Sequence, residues 1–325
     1  MKHLKHILGT LLIAAVTFVS CSKDDDNGDQ IIMAPTAEAF ADIRQDALDN
    51  LTQNFQLNTE DGSATFTSEK GVSITIQGNC LTLNGDAVTG QVDIKYIELF
   101  EKGTMFTTNK PTMGILPNGD RALLISGGEF LIEATQNGDA LATNCGIQLQ
   151  IPTNLTGGDD PEMTLWNGVL DENDDLAWDE KGRDGAQGGE LFNEGGSYYA
   201  FFNEFGWSNV DKFYSDPRPK TTILVGAPEN YDNTNSAVYL SYDGEDTGLA
   251  KLDTYDPGTG LFSEHYGQIP VGLECHIIFA TEDSGNWRYA IKSVTISANA
   301  VYTFTYGETA IATEAELTAL INGLP

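Results

Sequence analysis

Positive charge is what this chain has least of. Its 325 residues hold 17 lysines and arginines against 48 aspartates and glutamates, a formal net charge of −31. Phosphate binding needs Lys and Arg to displace counterions, so the shortage argues against nucleic acid as a partner. It also disfavours adhesion to anionic head groups through the protein surface. Histidine is scarce as well: of the 4 present, His3 and His6 precede the first cysteine, leaving His265 and His276 for chemistry. A serine or cysteine nucleophile normally leans on a nearby histidine base. Cys275 and His276 are adjacent, and neighbours in a strand point to opposite faces, so they do not make a dyad. Three scattered Cys and His residues also lack the close pairs of a zinc site. No Gly-x-Ser-x-Gly elbow, His-Glu-x-x-His or phosphate-loop glycine pattern occurs.

Long apolar runs are lacking too, with one short exception. Residues 1–20 carry Lys2 and Lys5, then an uncharged stretch from Ile7 to Val19, then Ser20 directly before Cys21. That is the layout of a secretory signal cleaved at a small residue. The run is too short, and too abruptly ended by charge, to span a bilayer comfortably. Phe18-Val19-Ser20-Cys21 resembles the lipobox of bacterial lipoproteins, with Phe18 where the commonest form has Leu. Ser22-Lys23-Asp24-Asp25-Asp26 resembles the signal that sends lipoproteins of Bacteroidota to the outer face of the outer membrane. The resemblance implies lipidation of Cys21 and anchoring to the outer membrane through acyl chains. Residues 21–34 then read as an acidic, self-repelling tether.

Cys80, Cys145 and Cys275 remain for an oxidising compartment. Cys80 and Cys145 each lie beside a short β-like run and are candidates to staple two strands. Spacing alone does not fix connectivity, and no disulfide at all is the alternative. Cys275 would be a buried free thiol, behaving as a small hydrophobe.

After the tether, Phe40, Ile43, Ala47, Leu51 and Phe55 recur at helical spacing behind Thr36, a suitable N-cap. The period then changes to two. Val72-Ser73-Ile74-Thr75-Ile76, Val92-Asp93-Ile94-Lys95-Tyr96 and Ile147-Gln148-Leu149-Gln150-Ile151 alternate cleanly. Asn84-Gly85, Asn118-Gly119 and Asn137-Gly138 supply tight-turn dipeptides. Further strands are expected over 163–170, 198–205, 220–227, 237–242, 273–280 and 287–296. Thr313 with Glu316 opens a short closing helix. Thr156-Gly157-Gly158-Asp159-Asp160-Pro161 is the best candidate boundary. The expected fold is all-β, two tandem antiparallel β-sandwich domains with a short N-terminal and a short C-terminal helix. The domains would be a helix plus first sandwich over 35–155 and a second sandwich over 163–325.

A further resemblance covers about residues 60–152. Gly71 to Ile76, Val88-Thr89-Gly90-Gln91-Val92, Tyr96-Ile97-Glu98, Asn109-Lys110-Pro111-Thr112 and Ser126-Gly127-Gly128-Glu129-Phe130 follow an order similar to a β-sandwich module of Bacteroidota surface lipoproteins. That module is distantly similar to ZU5 and carboxypeptidase-regulatory-like domains. The resemblance implies a structural or regulatory module and carries over no catalytic residue.

Three constellations merit a test against structure. Glu190, Glu194, Glu204 and Asp211 lie among aromatics, as the acid and nucleophile of a glycan hydrolase do. Asp171, Asn173, Asp175 and Asp179 fall in an acidic loop whose oxygens suit Ca2+. An EF-hand fits poorly there, because Leu176 replaces the turn glycine and Gly182 the bidentate Glu, which leaves an irregular loop site or a merely solvated acidic loop. The third is aromatic: Phe192, Tyr198, Tyr199, Phe201, Phe202, Phe205, Trp207, Phe213 and Tyr214 crowd one segment. Tyr199 and Phe201 share one strand face, Tyr198 and Phe202 the other, and a two-layer sandwich buries only one of them. Tyr198, Phe202 and Trp207 are taken as the candidate ligand-binding rings. The expected function is a lipid-anchored surface protein that binds or scaffolds, with a glycan or an envelope protein as ligand. A carboxylate-dependent glycan hydrolase is the alternative.

Overall fold

A computed structural model of the chain describes residues 33–170, 175–182, 189–264 and 267–325. The expected signal, the tether up to residue 32 and Cys21 lie outside them. By its internal contacts Ala34–Pro325 is one unit. It is all-β with three short helices among the described residues.

Helix α1 (Ala37–Asn50) starts where the sequence places it, with the Thr36 hydroxyl accepting the Ala39 amide hydrogen at 3.1 Å. It ends before Phe55, which fits the helical spacing but belongs to the strand Gln53–Asn58. That stretch also alternates, and pairing with residues 91–96 decides the matter. Helix α2 (Lys102–Thr107) is not among the elements expected from the sequence. Helix α3 (Glu314–Asn322) carries the expected capping box between Thr313 and Glu316.

The central sheet has eight strands. Seven run in the order Gln53–Asn58, Gln91–Leu99, Arg121–Gln136, Gly206–Phe213, Thr164–Leu170, Leu176–Glu180 and Met113–Ile115. Met113–Ile115 also pairs with the start of Arg121–Gln136, so this end of the sheet closes on itself. Leu124, Trp166, Leu176 and Trp178 cluster there. One face of the central sheet is covered by an outer sheet, ordered Glu190–Glu194, Ser197–Phe202, Ile147–Pro152, Ser73–Gln77 and Ser63–Thr67. Ile74, Leu149, Tyr198 and Phe202 of the outer sheet meet Ile94, Tyr96, Phe130 and Val210 of the central one. Apolar contact of this extent is what holds two such sheets together.

The other face is covered as well. Ile97, Leu99 and Leu131 join Phe40 and Leu48 of α1, Phe106 of α2, Leu317 and Ile321 of α3, and Tyr239, Ile278 and Trp287 of a further five-stranded sheet. That sheet runs Ala250–Lys251, Ser236–Tyr242, Glu274–Asp283, Asn286–Thr295 and Ala310–Ala312. A four-stranded sheet completes the second sandwich, and Phe279 meets Phe304 at its edge, ring centroids 6.0 Å apart.

The boundary expected at 156–161 is therefore a correction. Strands before and after it pair directly, Ile147–Pro152 with Ser197–Phe202 and Arg121–Gln136 with Gly206–Phe213. The glycines and proline serve a crossover from the outer to the central sheet, with Gly157 in the left-handed region at φ 91° and the Thr153 hydroxyl donating to Asp159. The change of sandwich comes between Phe213 and Lys220, where Pro217 and Pro219 stand.

Candidate functional site

The outer sheet positions a surface by simple alternation. In Ser197–Phe202, Tyr198, Ala200 and Phe202 turn inward and are fully buried. Two of the three rings expected to touch a ligand are therefore core residues. Burial pushes the Tyr198 hydroxyl up from its ordinary pKa, and its oxygen accepts the Asp160 amide hydrogen at 2.8 Å. The third ring, Trp207, lies in the central sheet, edge-on to Trp178 at 6.4 Å with the Lys110 ammonium 5.6 Å from its centroid. The structure brings these three rings to no common surface.

The outward members are Tyr199 and Phe201. Phe192, on the edge strand Glu190–Glu194, joins them with 53% of its surface exposed and its ring edge-on to Phe201 at 6.1 Å. Strand register extends them into two rows. One row runs Phe192, Tyr199, Gln150, Ser73, Thr67, and the other Glu190, Phe201, Gln148, Thr75, Thr65. Neither row contains a lysine or arginine. Hydroxyls and amides bond one another along the face: Thr65 with Thr75 at 2.9 Å, and Gln77 donating to Ser63 at 3.2 Å. A cleft of about 640 Å³ opens at the aromatic edge, bordered by Phe201, Glu190, Asn203 and Lys181. The arrangement offers flat apolar rings for stacking beside uncharged groups that both donate and accept hydrogen bonds.

Phe192 was findable from sequence. In Glu190-Leu191-Phe192-Asn193-Glu194 the two glutamates share its face, and charge at those positions marks that face as solvent.

The structure places the four candidate carboxylates in two different settings. Glu190, Glu194 and Glu204 are exposed, and the Glu204 carboxylate lies 4.0 Å from the Lys181 ammonium. Asp211 is fully buried in the central sheet, where burial drives its carboxyl well above the usual range. It cannot face a substrate held at the surface.

Asp171 and Asn173 lie outside the described residues. Asp175 is committed elsewhere: its carboxylate pairs with the Lys251 ammonium and accepts from the Asn109 amide at 3.2 Å. Asp179 sits within the strand Leu176–Glu180, opposite Asn167. A calcium site using Asp175 is thus corrected, because a lysine fills the place of the cation. Among the described residues no group of three or more His, Cys, Asp or Glu converges as metal ligands.

Cys80 and Cys145 are joined in a disulfide, their Cα atoms 5.7 Å apart. Cys275 is a buried free thiol, pushed up to about 12 by burial. His276 Nδ1 lies 2.8 Å from Asp243, and His265 is outside the described residues.

No protein-family model matches the chain, and no curated protein matches it.

Proposed function

We propose that this chain is a lipid-anchored cell-surface protein that binds neutral glycans on the outward face of its outer sheet. The observation that carries the reading is the group of Phe192, Tyr199 and Phe201 on one face beside Gln148, Gln150, Ser73 and Thr75. Aromatic faces stack on the apolar faces of sugar rings, while amides and hydroxyls satisfy the sugar hydroxyls. A face without lysine or arginine in a chain of net charge −31 disfavours anionic polymers, which points to neutral ones. The Cys80–Cys145 disulfide fits an extracytoplasmic address, and the Cys21 pattern supplies the anchor.

The test is retention of the mature protein on immobilised neutral polysaccharides, wild type against a Phe192→Ala/Tyr199→Ala double variant. Removing two of the three rings is expected to weaken binding about tenfold or more. Equal retention of both proteins, or no retention of either, overturns the reading. Release of a Cys21→Ala variant into the soluble fraction tests the anchor separately.

A further inference from the structure

Basic residues are few in this chain, yet three of them converge on one cavity. Arg44 of α1, Lys110 just after α2, and Lys251 of the second sandwich line a space of about 420 Å³. Two carboxylates line it with them, and both are engaged. Asp175 pairs with Lys251, and Asp253 is held by Arg121 at 3.2 Å. Among the described residues neither Arg44 nor Lys110 has a carboxylate within ion-pair distance. Arg44 Nε donates to the Phe40 carbonyl at 3.1 Å, and its guanidinium carbon lies 4.2 Å from the Phe40 ring centroid. The Lys110 ammonium rests near Trp207, where burial lowers its pKa, and the buried acid nearest it in charge, Glu129, is itself driven toward the neutral form by burial and by Asp211. The back wall is fixed. The Tyr239 hydroxyl donates to Asn109 Oδ1 at 2.7 Å, and Asn109 donates on to Asp175.

We infer that this cavity is a binding site for a carboxylate-bearing sugar unit, held by Arg44 and Lys110. A divalent cation does not suit a cavity with surplus positive charge, and a neutral sugar would leave both cations unanswered. An oxyanion answers them: the planar guanidinium fork takes a carboxylate on two hydrogen bonds, and the ammonium adds a point charge. Asn233 lines the same cavity with a side-chain amide suited to ring hydroxyls, and Gln45 and Thr234, which donate to Asp49 and Asp232, keep oxygens that accept. The volume falls within the range of roughly 300–1,000 Å³ typical of small-molecule sites. The site shares no residue with the aromatic face, so it goes beyond the neutral-glycan reading and does not depend on it.

Isothermal titration of the mature protein with glucuronate, glucose and inorganic phosphate tests the assignment. Glucuronate is expected to bind, glucose not to bind, and phosphate to bind more weakly than glucuronate. Arg44→Gln and Lys110→Gln are each expected to weaken glucuronate binding roughly tenfold or more. Circular dichroism and unfolding midpoints of both variants separate loss of the site from loss of the fold. The Phe192→Ala/Tyr199→Ala variant should bind glucuronate as wild type does, so that failure at one site is read apart from failure at the other. Equal binding of glucuronate and glucose, phosphate binding tighter than glucuronate, or undiminished affinity in folded Arg44 and Lys110 variants overturns the inference. A free uronate and one ending an oligosaccharide present the same group, and their relative affinities tell which source the cavity is shaped for.

Discussion

The carboxylate of Asp175 and the ammonium of Lys251, 76 residues apart in the chain, are bonded to each other with side chains only 13% and 10% exposed. The pair joins the central sheet's margin to the edge strand of the second sandwich. Removing one member of such a pair strands the other charge in a poorly hydrated place, which costs more than the intact pair contributes.

Lys251→Met is therefore expected to destabilise the fold by about 3–5 kcal/mol, and Asp175→Asn/Lys251→Met by less than Lys251→Met alone. Denaturant unfolding of the three proteins gives the comparison. Burial alone would raise the Asp175 pKa, but Lys251 and Asn109 outweigh it and the net shift is downward. Its contribution is then present above about pH 4, where the unfolded carboxylate is ionised, and is lost as pH falls toward the lower folded value. A double variant no better than Lys251→Met would remove this account.

Glu129 shifts in the opposite sense. It is fully buried, and among the described residues neither carboxyl oxygen has a hydrogen-bond partner. The nearby Trp178 indole donates instead to the Pro111 carbonyl at 3.1 Å. Burial, then the Asp211 carboxyl, pushes its pKa well up. Below about pH 4 both folded and unfolded chains hold the proton, and no penalty arises. As pH rises the unfolded chain releases it while the folded one retains it, so stability falls by up to about 1.4 kcal/mol per pH unit. Glu129→Gln should flatten that slope and raise the unfolding midpoint at pH 7 and above. A lower midpoint there would mean an ionised Glu129 paired with Lys110.

Gly103 of α2 lies directly against α3, donating its amide hydrogen to Asn322 Oδ1 at 2.7 Å. A Cβ at this position would come within 2.5 Å of Asn322 Oδ1 and closer still to the Thr318 carbonyl oxygen. Alanine gains about 1 kcal/mol of helix propensity over glycine. The overlap with backbone costs about 1–3 kcal/mol or more, so Gly103→Ala should destabilise on balance. Thermal unfolding decides, and a higher midpoint would show that α3 moves aside freely.

Much of the β pattern was legible wherever one face is wet. Ile147–Pro152 alternates and is a strand over the expected span. Asn84-Gly85 and Asn137-Gly138 take positive φ at both residues, as tight hairpins require. The capping box of α3 was readable from two side chains. The tandem division was not, because strands buried on both sides stop alternating. Tyr96-Ile97 and Phe130-Leu131-Ile132 feed the clusters on opposite faces of the central sheet, and such runs say nothing about which partner covers each side. The candidate cavity was illegible for another reason. Arg44, Lys110, Asp175 and Lys251 come from four distant segments, and no local spacing announces their meeting. Among the aromatics the alternation was correct, while the choice of wet face was reversed. The glutamates flanking Phe192 held that information.

Helices α1 and α3, 264 residues apart between Asn50 and Glu314, close the same interior side by side, with Asn50 donating to the Glu314 carboxylate at 2.9 Å. During synthesis, residues 314–322 follow every described strand of both sandwiches. The sheets can therefore pair while the layer between them still lacks Leu317 and Ile321. The middle of the molecule is the last part to become dry, and a chain halted a few residues short would carry its exposed apolar surface at its centre.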